Sequence, residues 1–500
     1  MSVSVSEHEQ VVPERSRRIV ILLICSMALL IVGLDTTIVN IALPSIHRSL
    51  HPSLSGLQWT IDAYTLVLAS LLMLSGSTAD RIGRRRTFQC GLGLFSLGSL
   101  LCGLAPSLGF LIGARALQAI GGSMLNPVAM SIIRNVFVDA RERALAIGVW
   151  GAVFGASMAL GPVLGGVLVQ VSSWRAVFFV NVPVGLIAIA LTALFVPESK
   201  ADHPRRIDPV GQVLVIVALA SLTYGIIDGP RAGWASAQTL ALFAASALSG
   251  LALVLYELRR RQPLVEIRFF RSVPFAGASA IAVGMFLAVG GFLFLNTLYL
   301  QNVRGLSPLD AGLYTLPMAG AMLVAAPLSG HIVGHRGTRL PLVIGAVSLI
   351  ASALLLTTLS PTTSVPLLLV AYLLFGLGSG MVNPPITNTA VTGMPPSQAG
   401  VAAAIASTSR QVGATLGVAV LGALAGGDTI GAVGPAFAYA TRTSWWVVVG
   451  IGVALLIGAF VTTTPWALRT ASHTAERLRE HDRPTAGGEP AGSDQAPVAV

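Results

Sequence analysis

The sequence predicts an all-α integral membrane protein with fourteen transmembrane helices. Three observations predict it: an apolar composition, fourteen apolar runs of bilayer-crossing length, and a strong alternating bias in where arginine falls between them. Of 500 residues, 54% are hydrophobic and 10% are charged, whereas soluble domains carry about 25% charged residues. The net charge of +10 follows membrane topology and forms no nucleic-acid patch. Lys200 is the only lysine, an arginine bias that fits a high-GC bacterial genome.

The apolar runs fall at 19–44, 56–79, 87–105, 108–133, 144–169, 176–196, 207–227, 236–257, 272–300, 309–333, 338–359, 364–390, 398–424 and 444–465. Each can cross a hydrocarbon core of ~30 Å. Internal Gly and Pro do not demote them, because neighbouring helices re-satisfy the backbone. With the N-terminus placed in the cytoplasm, 24 basic residues fall in inner segments and 5 in outer ones, while Arg115 and Arg410 lie within spans. That bias puts both termini inside. The first run follows a polar head and is too long for the apolar stretch of a cleavable signal peptide.

The organisation then reads in order. Residues 1–18 form a cytoplasmic tail, 19–196 a six-helix bundle, 207–257 two additional helices, 272–465 a second six-helix bundle, and 470–500 a disordered cytoplasmic tail. An internal repeat supports this parse. Gly121-Gly122-Ser123-Met124-Leu125-Asn126-Pro127 recurs as Gly378-Ser379-Gly380-Met381-Val382-Asn383-Pro384, and the stretch from Gly76 to Gly83 has a worn echo from Gly330 to Gly337. The offsets are 257 and 254 residues. Eight spans separate the copies, so the halves are parallel, an architecture that places a site at the midplane between them. Cys25, Cys90 and Cys102 all fall in apolar runs and read as buried small side chains, with no disulfide framework or thiolate metal site.

Several residues carry chemistry. Asp35 lies roughly 24 Å along the first helix at ~1.5 Å per residue, well inside the bilayer. A carboxylate there is costly and points to a function, here exchange of a proton. Thr36, Thr37 and Asn40 offer hydrogen bonds beside it. Asp62, early in span 2, is expected to face the same cavity from its outer mouth, or else to be an interfacial acid. Arg115 in span 4 needs a partner, and an acid of span 1 or 2 is the expected one. Arg410 in span 13 has no evident acid to pair with. Asp80-Arg81-Ile82-Gly83-Arg84-Arg85-Arg86 is a tight inner loop whose turn Gly83 permits. Span 5 carries Gly155, Gly161, Pro162, Gly165 and Gly166, small residues that allow close helix contact. Trp174 reads as an interfacial anchor ahead of span 6. With one lysine, no phosphate-binding loop of the G-x-x-x-x-G-K-[ST] kind exists, and neither H-E-x-x-H nor G-x-S-x-G occurs.

Leu34–Pro44, Gly76–Arg86, Arg115–Gly122, Gly155–Gly166 and Trp174–Pro183 together give a chain that resembles the fourteen-helix drug:proton antiporters of the major facilitator superfamily (EmrB/QacA type) over about residues 15–465. The resemblance implies alternating access, with proton coupling through Asp35 and Asp62 assisted by Arg115. It implies that Gly76, Asp80, Arg81, Gly83, Arg84 and Arg85 form a cytoplasmic latch between the halves, and that the span-5 glycines with Pro162 are the signature separating antiporters from symporters. Two departures stand out. Gly334 occupies the place of Asp80 in the second half, and span 13 carries Arg410 where some relatives have an acid, which argues against divalent organic cations as substrates.

The expected function is proton-driven efflux of amphipathic drug-like compounds across a bacterial inner membrane, giving resistance and including self-resistance to a secreted antibiotic. Asn40, Asn126, Asn296 and Asn383 are candidate polar groups of an apolar substrate cavity, with interhelical hydrogen bonding as the alternative for each. No cofactor is expected beyond the proton gradient, and the partners are substrate, protons and lipid, with the protein acting as a monomer. The alternatives are a narrow metabolite or siderophore exporter and a non-transporting membrane sensor or scaffold. An enzyme is the remotest reading.

Overall fold

The computed structural model describes residues 14–201, 207–260, 263–395, 398–426 and 435–482. Arg205, Arg206, Arg261 and Arg483 of the expected inner segments lie outside them, as do residues 483–500 of the expected tail.

Polar residues at the ends of the apolar runs start the helices. Ser53 Oγ accepts from the Gly56 amide (3.2 Å), Asp139 from Arg141 and Glu142, and Ser307 from Asp310 (3.1 Å), filling the first-turn donors that a helix leaves open. The first half comprises α1 (Arg15–Leu50), α2 (Leu54–Ile82), α3 (Arg84–Gly103), α4 (Leu108–Val136), α5 (Ala140–Val171), α6 (Ala176–Phe179) and α7 (Asn181–Phe195). Helices α8 (Pro209–Ala232) and α9 (Ala237–Glu257) follow. The second half comprises α10 (Val273–Leu298) with a π turn at Tyr299–Val303, α11 (Pro308–Tyr314), α12 (Leu316–Arg336), α13 (Arg339–Leu356), α14 (Val365–Val391), α15 (Ala399–Leu424), α16 (Ala436–Ala440) and α17 (Arg442–Val461).

Among the described residues, twelve of these units are long and apolar enough to cross a membrane, not the fourteen expected. The two that fall short are α3 and α15. The first begins Arg84-Arg85-Arg86 and is rich in Gly and Ser; the second carries Ser407-Thr408-Ser409-Arg410-Gln411 near its middle. Helix α15 is packed against α10, α2 and α8, whereas α3 buries its Gly and Ser face on α4 and α7 and leaves Cys90, Leu97 and Leu100 exposed on the other.

Packing repeats the sequence repeat. In the first half α1 packs on α5, α2 and α3 on α4, and α3 on α7; in the second α10 packs on α15, α12 and α13 on α14, and α13 on α17. Without a hydrophobic force between helices in lipid, such contacts depend on close fit. A buried ring cluster of Phe292, Tyr372, Phe375 and Trp445 fills the second half. The halves meet along two seams, α2 with α15 and α5 with α11. Helix α8 lies on the first seam, touching both α2 and α15, and its Gln212 donates to the Ser70 carbonyl (2.7 Å).

Three expectations need correction. The chain from Pro465 to Asp482 is a helix, α18, and does not begin a disordered tail at 470. Ala467, Ala471, Ala475 and Leu478 form one buried stripe along it, and the Thr470 hydroxyl accepts from the Val273 amide (3.0 Å). Trp174 is buried against Phe178 with the Arg175 guanidinium over its ring, so it is a core residue and not an interfacial anchor. Cys90 is exposed, whereas Cys25 and Cys102 are buried.

Candidate functional site

Asp35 is 0% exposed and Arg115 is 1% exposed. Five helices of the first half converge on them. Arg115 Nη1 donates to Asp35 Oδ2 at 2.6 Å, and Gln118 Nε2 donates to Asp35 Oδ1 at 2.8 Å. Asn181 of α7 adds a longer bond to Oδ1 (3.3 Å). The Gln118 amide is fully used: it accepts from Arg115 (2.7 Å) and also donates to Ser99 Oγ on α3 (2.7 Å). Arg115 Nε donates to the Thr60 carbonyl of α2 (3.2 Å), and the guanidinium carbon lies 4.2 Å from the Tyr64 ring centre. A charge buried in this way persists only when paired and hydrogen-bonded. Chemically, the array is a carboxylate able to accept a proton, held by three side-chain donors, with a fixed cation that loses its counter-charge when the proton arrives.

Asp62 does not join this network. It is 0% exposed, Thr65 donates to its Oδ1 at 3.3 Å, and its Oδ2 has no hydrogen-bond partner. One helical turn away on either side, α2 faces the seam. Gln58 Nε2 donates to the Val418 and Ala419 carbonyls of α15 (2.9 and 3.1 Å), and Leu66 packs among Leu219, Thr223, Val412 and Leu416. By its place on the helix, Asp62 therefore lies on the seam side of α2, towards α15 and α8, and shares no hydrogen bond with Asp35. Within five residues of α2, Gln58 ties the halves together, Thr60 receives Arg115, and Asp62 holds a buried carboxyl.

The span-5 residues face two ways. Gly161 and Gly165 sit against Thr37 and Ile38 of α1, and Gly166 against Pro308 and Leu309 of the second half, each with no space for a side chain. The Pro162 backbone packs on Gly312 of α11. Gly155 has only Leu323 nearby, and Gly148 and Gly151 face open space. At the same rim, Gln301 Nε2 donates to the Ile41 carbonyl (2.9 Å), so three hydrogen bonds and a glycine contact join the halves at the rim away from the arginine-rich loops.

The expected latch loop is bonded inside the first half. Asp80 accepts from Arg84 Nη2 (3.2 Å), and Glu198, just after α7, accepts from the Arg85 amide (3.1 Å) and lies 3.7 Å from Arg86. Gly83 has φ +119°, a conformation L side chains rarely adopt, and the Glu198 carboxylate occupies the space a side chain would need. Gly76 faces open space, and the ion pairs and hydrogen bonds seen for Asp80, Arg84 and Arg85 have partners in this half.

The four asparagines part company. Asn40 is buried and donates back to the Thr36 carbonyl of its own helix (3.1 Å). Asn296 is buried and accepts from the Tyr372 hydroxyl, so it joins two helices. Asn126 and Asn383, equivalent in the repeat, are both partly exposed, and Asn126 Oδ1 has no partner. Arg410 donates to the Thr387 hydroxyl of α14, and its Nε has no partner.

Reading the sequence did not single out Gln118, Asn181, Ser99, Gln58 or Glu198. Gln118 was accessible in principle, since i and i+3 share a helix face. Asn181 and Ser99 carry no such mark, because only the fold brings α3 and α7 to Asp35.

Comparison with known proteins agrees with this architecture. Residues 25–418 match the family model described as Major Facilitator Superfamily. The chain is 40% identical over 403 residues to "Multidrug resistance protein Stp" of Mycobacterium tuberculosis, covering 81% of this chain and 75% of that one. It is 38% identical over 404 residues to the "Tetracenomycin C resistance and export protein" of Streptomyces glaucescens, with coverage of 81% and 75%. It is 35% identical over 395 residues to the "Methylenomycin A resistance protein" of Streptomyces coelicolor, with coverage of 78% and 82%. Among solved structures, a bacterial homologue of the human lysosomal transporter Spinster superposes with a TM-score of 0.64 at 18% identity, covering 93% of this chain and 99% of that one. The D-xylose-proton symporter gives 0.63 at 16% identity, covering 89% and 97%. With its mirrored helix packing and a family match over most of its length, the chain belongs to the major facilitator superfamily.

Proposed function

We propose that this protein is a drug efflux transporter that exchanges protons for amphipathic compounds by alternating access in a bacterial cell membrane. The observation that carries the reading is the buried Asp35–Arg115 pair wired through Thr60 to the helix turn that ties the two halves together. Relatives of 35–40% identity bear names of drug resistance and export, which supports the direction and the class of cargo.

On this reading all fourteen units cross the bilayer. Helix α15 does so enclosed by α10, α2 and α8, and α3 does so with its Gly and Ser turned onto α4 and α7 and Leu97 and Leu100 outward, so neither offers its polar residues to lipid. The arginine-rich rim and both termini then lie in the cytoplasm, and the structure corresponds to a state closed at the outer rim. A proton reaching Asp35 cancels the charge opposite Arg115. The guanidinium then leans on the Thr60 carbonyl and Gln118, and the strain falls on the α2 turn bearing Gln58. Release of the Gln58 and Gln301 bonds opens the outer rim, while Asp80 and its arginines exchange partners within one half for partners in the other. Asp62, buried on the seam side of α2, is the second group that takes part in proton exchange. No cofactor is needed, since the gradient supplies the energy.

The test is proton movement in inverted vesicles containing the protein. A panel of lipophilic antibiotics and dyes is added to an imposed proton gradient, beside Asp35→Asn at matched expression. Dissipation evoked by a compound and absent in Asp35→Asn is the expected result. A response that survives in the mutant would remove Asp35 from the coupling path, and no response to any compound would overturn the multidrug reading.

A further inference from the structure

We propose that Arg410 is the substrate-recognition cation of this transporter, and that the compounds it selects are amphipathic organic anions. The inference deepens the efflux reading and rests on it for the transport step.

The observation is a charge without a counter-charge. Arg115, the other arginine within a span, has Asp35. Arg410 lies mid-helix on α15, and among the described residues no carboxylate pairs with it; its observed bond is to the neutral Thr387 hydroxyl, and its Nε is buried without a partner. A guanidinium carries five donors, so most of its capacity is unmet. The deficit extends beyond the immediate contact. Between residues 272 and 426, Asp310 is the only acidic residue in the sequence. It lies at the far rim, in the first turn of α11, bonded to Ser307 (2.7 Å). Arg410 is thus a mid-helix cation with no acid in the spans of its own half.

The direction in which Arg410 points follows from what the rest of α15 touches. Gly413 and Gly417 pack on α10, Val412 and Leu416 lie against α2 and α8, and Val418, Ala419 and Gly422 meet Gln58. Arg410 shares the face of Gly413 and Gly417 that packs on α10, and one turn before those glycines it reaches across to Thr387 of α14. There Thr387 and Asn388 are exposed, and Asn383 one turn away is partly exposed. A lipid-facing patch would not be built of Thr, Asn and Arg, so this polar face borders the space between the halves. A carboxylate, phenolate or sulfonate entering that space would meet a fork of unused N–H donors beside polar neighbours. A cation would meet uncompensated repulsion. Charge-assisted bonds to arginine are among the strongest available.

The experiment uses two dyes that share a xanthene ring system, anionic fluorescein and cationic rhodamine 123, bound to the full-length protein in nanodiscs and read by fluorescence anisotropy. The wild type is expected to bind fluorescein at least ~10-fold more tightly than rhodamine 123, the size of one charge-assisted bond. Arg410→Gln should abolish that preference, and Arg410→Lys should keep most of it. A merely structural arginine would weaken both dyes together and leave their ratio unchanged. If Arg410→Gln fails to fold, Thr387→Val, which frees the guanidinium from its tether, should weaken fluorescein ~3-fold and leave rhodamine 123 unaffected. A wild type that binds rhodamine 123 as well as fluorescein, or binds neither, overturns the inference, as does an unchanged ratio in Arg410→Gln. Binding is read without transport, so the two readings fail separately. Anion preference without proton-driven uptake into inverted vesicles would sink the efflux reading and leave the site. Asp35-dependent uptake of rhodamine 123 without anion preference would do the reverse.

Discussion

The Asp35–Arg115 pair makes a quantitative prediction through a double-mutant cycle. In Asp35→Asn the carboxamide oxygen still accepts from Gln118 or Asn181, and Arg115 keeps the Thr60 carbonyl and the Gln118 oxygen. What disappears is the counter-charge at 2.6 Å. Breaking a buried pair costs about 3–5 kcal/mol, and the retained acceptors place this variant near about 3. Arg115→Gln removes the charge donor and the Thr60 bond together, so about 4 kcal/mol is expected. The double variant leaves only neutral amides in a site already rich in them, and should lose no more than about 3 kcal/mol. The coupling between the sites is then about 4 kcal/mol, nearly a thousandfold in the unfolding equilibrium. Denaturant unfolding of the purified protein in detergent, followed by tryptophan fluorescence, measures the cycle. Both Asp35→Asn and the double variant should be inactive in proton exchange, so the stability is recovered and the activity is not. Single costs that add to within about 0.5 kcal/mol in the double variant would refute the pairing as the basis of the site. So would recovery of transport.

Other consequences are equally open to measurement. Asp62 has one long hydrogen bond and one unpartnered oxygen, so Asp62→Asn should cost at most about 1 kcal/mol of stability while altering substrate-evoked proton movement; a loss as large as that of Asp35→Asn would disprove the difference between them. Gln58→Leu removes two hydrogen bonds across the seam, about 2 kcal/mol or ~30-fold in the closed-to-open ratio. A cysteine placed at Ala423 on a Cys90→Ser background should then react faster with an impermeant maleimide added outside, and unchanged labelling would count against the seam as the outer gate. Gly166→Leu has no space against Leu309, whereas Gly148→Leu faces open space. The first should abolish drug transport at normal membrane yield and the second should not; equal activity in both would remove close α5–α11 contact from the transport cycle.

The fold was legible because lipid forces a simple code. Runs of apolar residues must be helices, and arginine reports the side. The same code loses its grip where protein replaces lipid: α15 is too polar by hydropathy yet is enclosed by α10, α2 and α8, and α3 turns its Gly and Ser onto α4 and α7 while Leu97 and Leu100 face outward. Asp35 and Arg115 stood out as charges in apolar runs, and one need explains the other. Gln118, Asn181 and Ser99 did not, since uncharged polar residues are common in such helices and only the three-dimensional convergence of α1, α3, α4 and α7 gives them a common target. Asp62 was visible as an acid but not as a seam residue, for the partner helix α15 is some 350 residues away in the chain, with Gln58 reaching Val418 across a separation of 360. The tail helix α18 escaped notice because its buried stripe is built of alanines in a charged stretch, which composition alone reads as solvated chain.

Every observed partner of the Asp35 carboxylate belongs to the first half of the molecule, on α4 and α7. Under natural selection that confinement separates two kinds of change. On the role proposed for Asp35, mutations in the second half can reshape what is carried without disturbing any observed partner of that group. A population exposed to a new toxic compound would therefore accumulate its adaptive substitutions between residues 272 and 424, while the neighbourhood of Asp35 stayed fixed by purifying selection. A duplicated ancestral six-helix unit gains from such an arrangement a practical form of evolvability: one copy keeps the engine, and the other is free to vary.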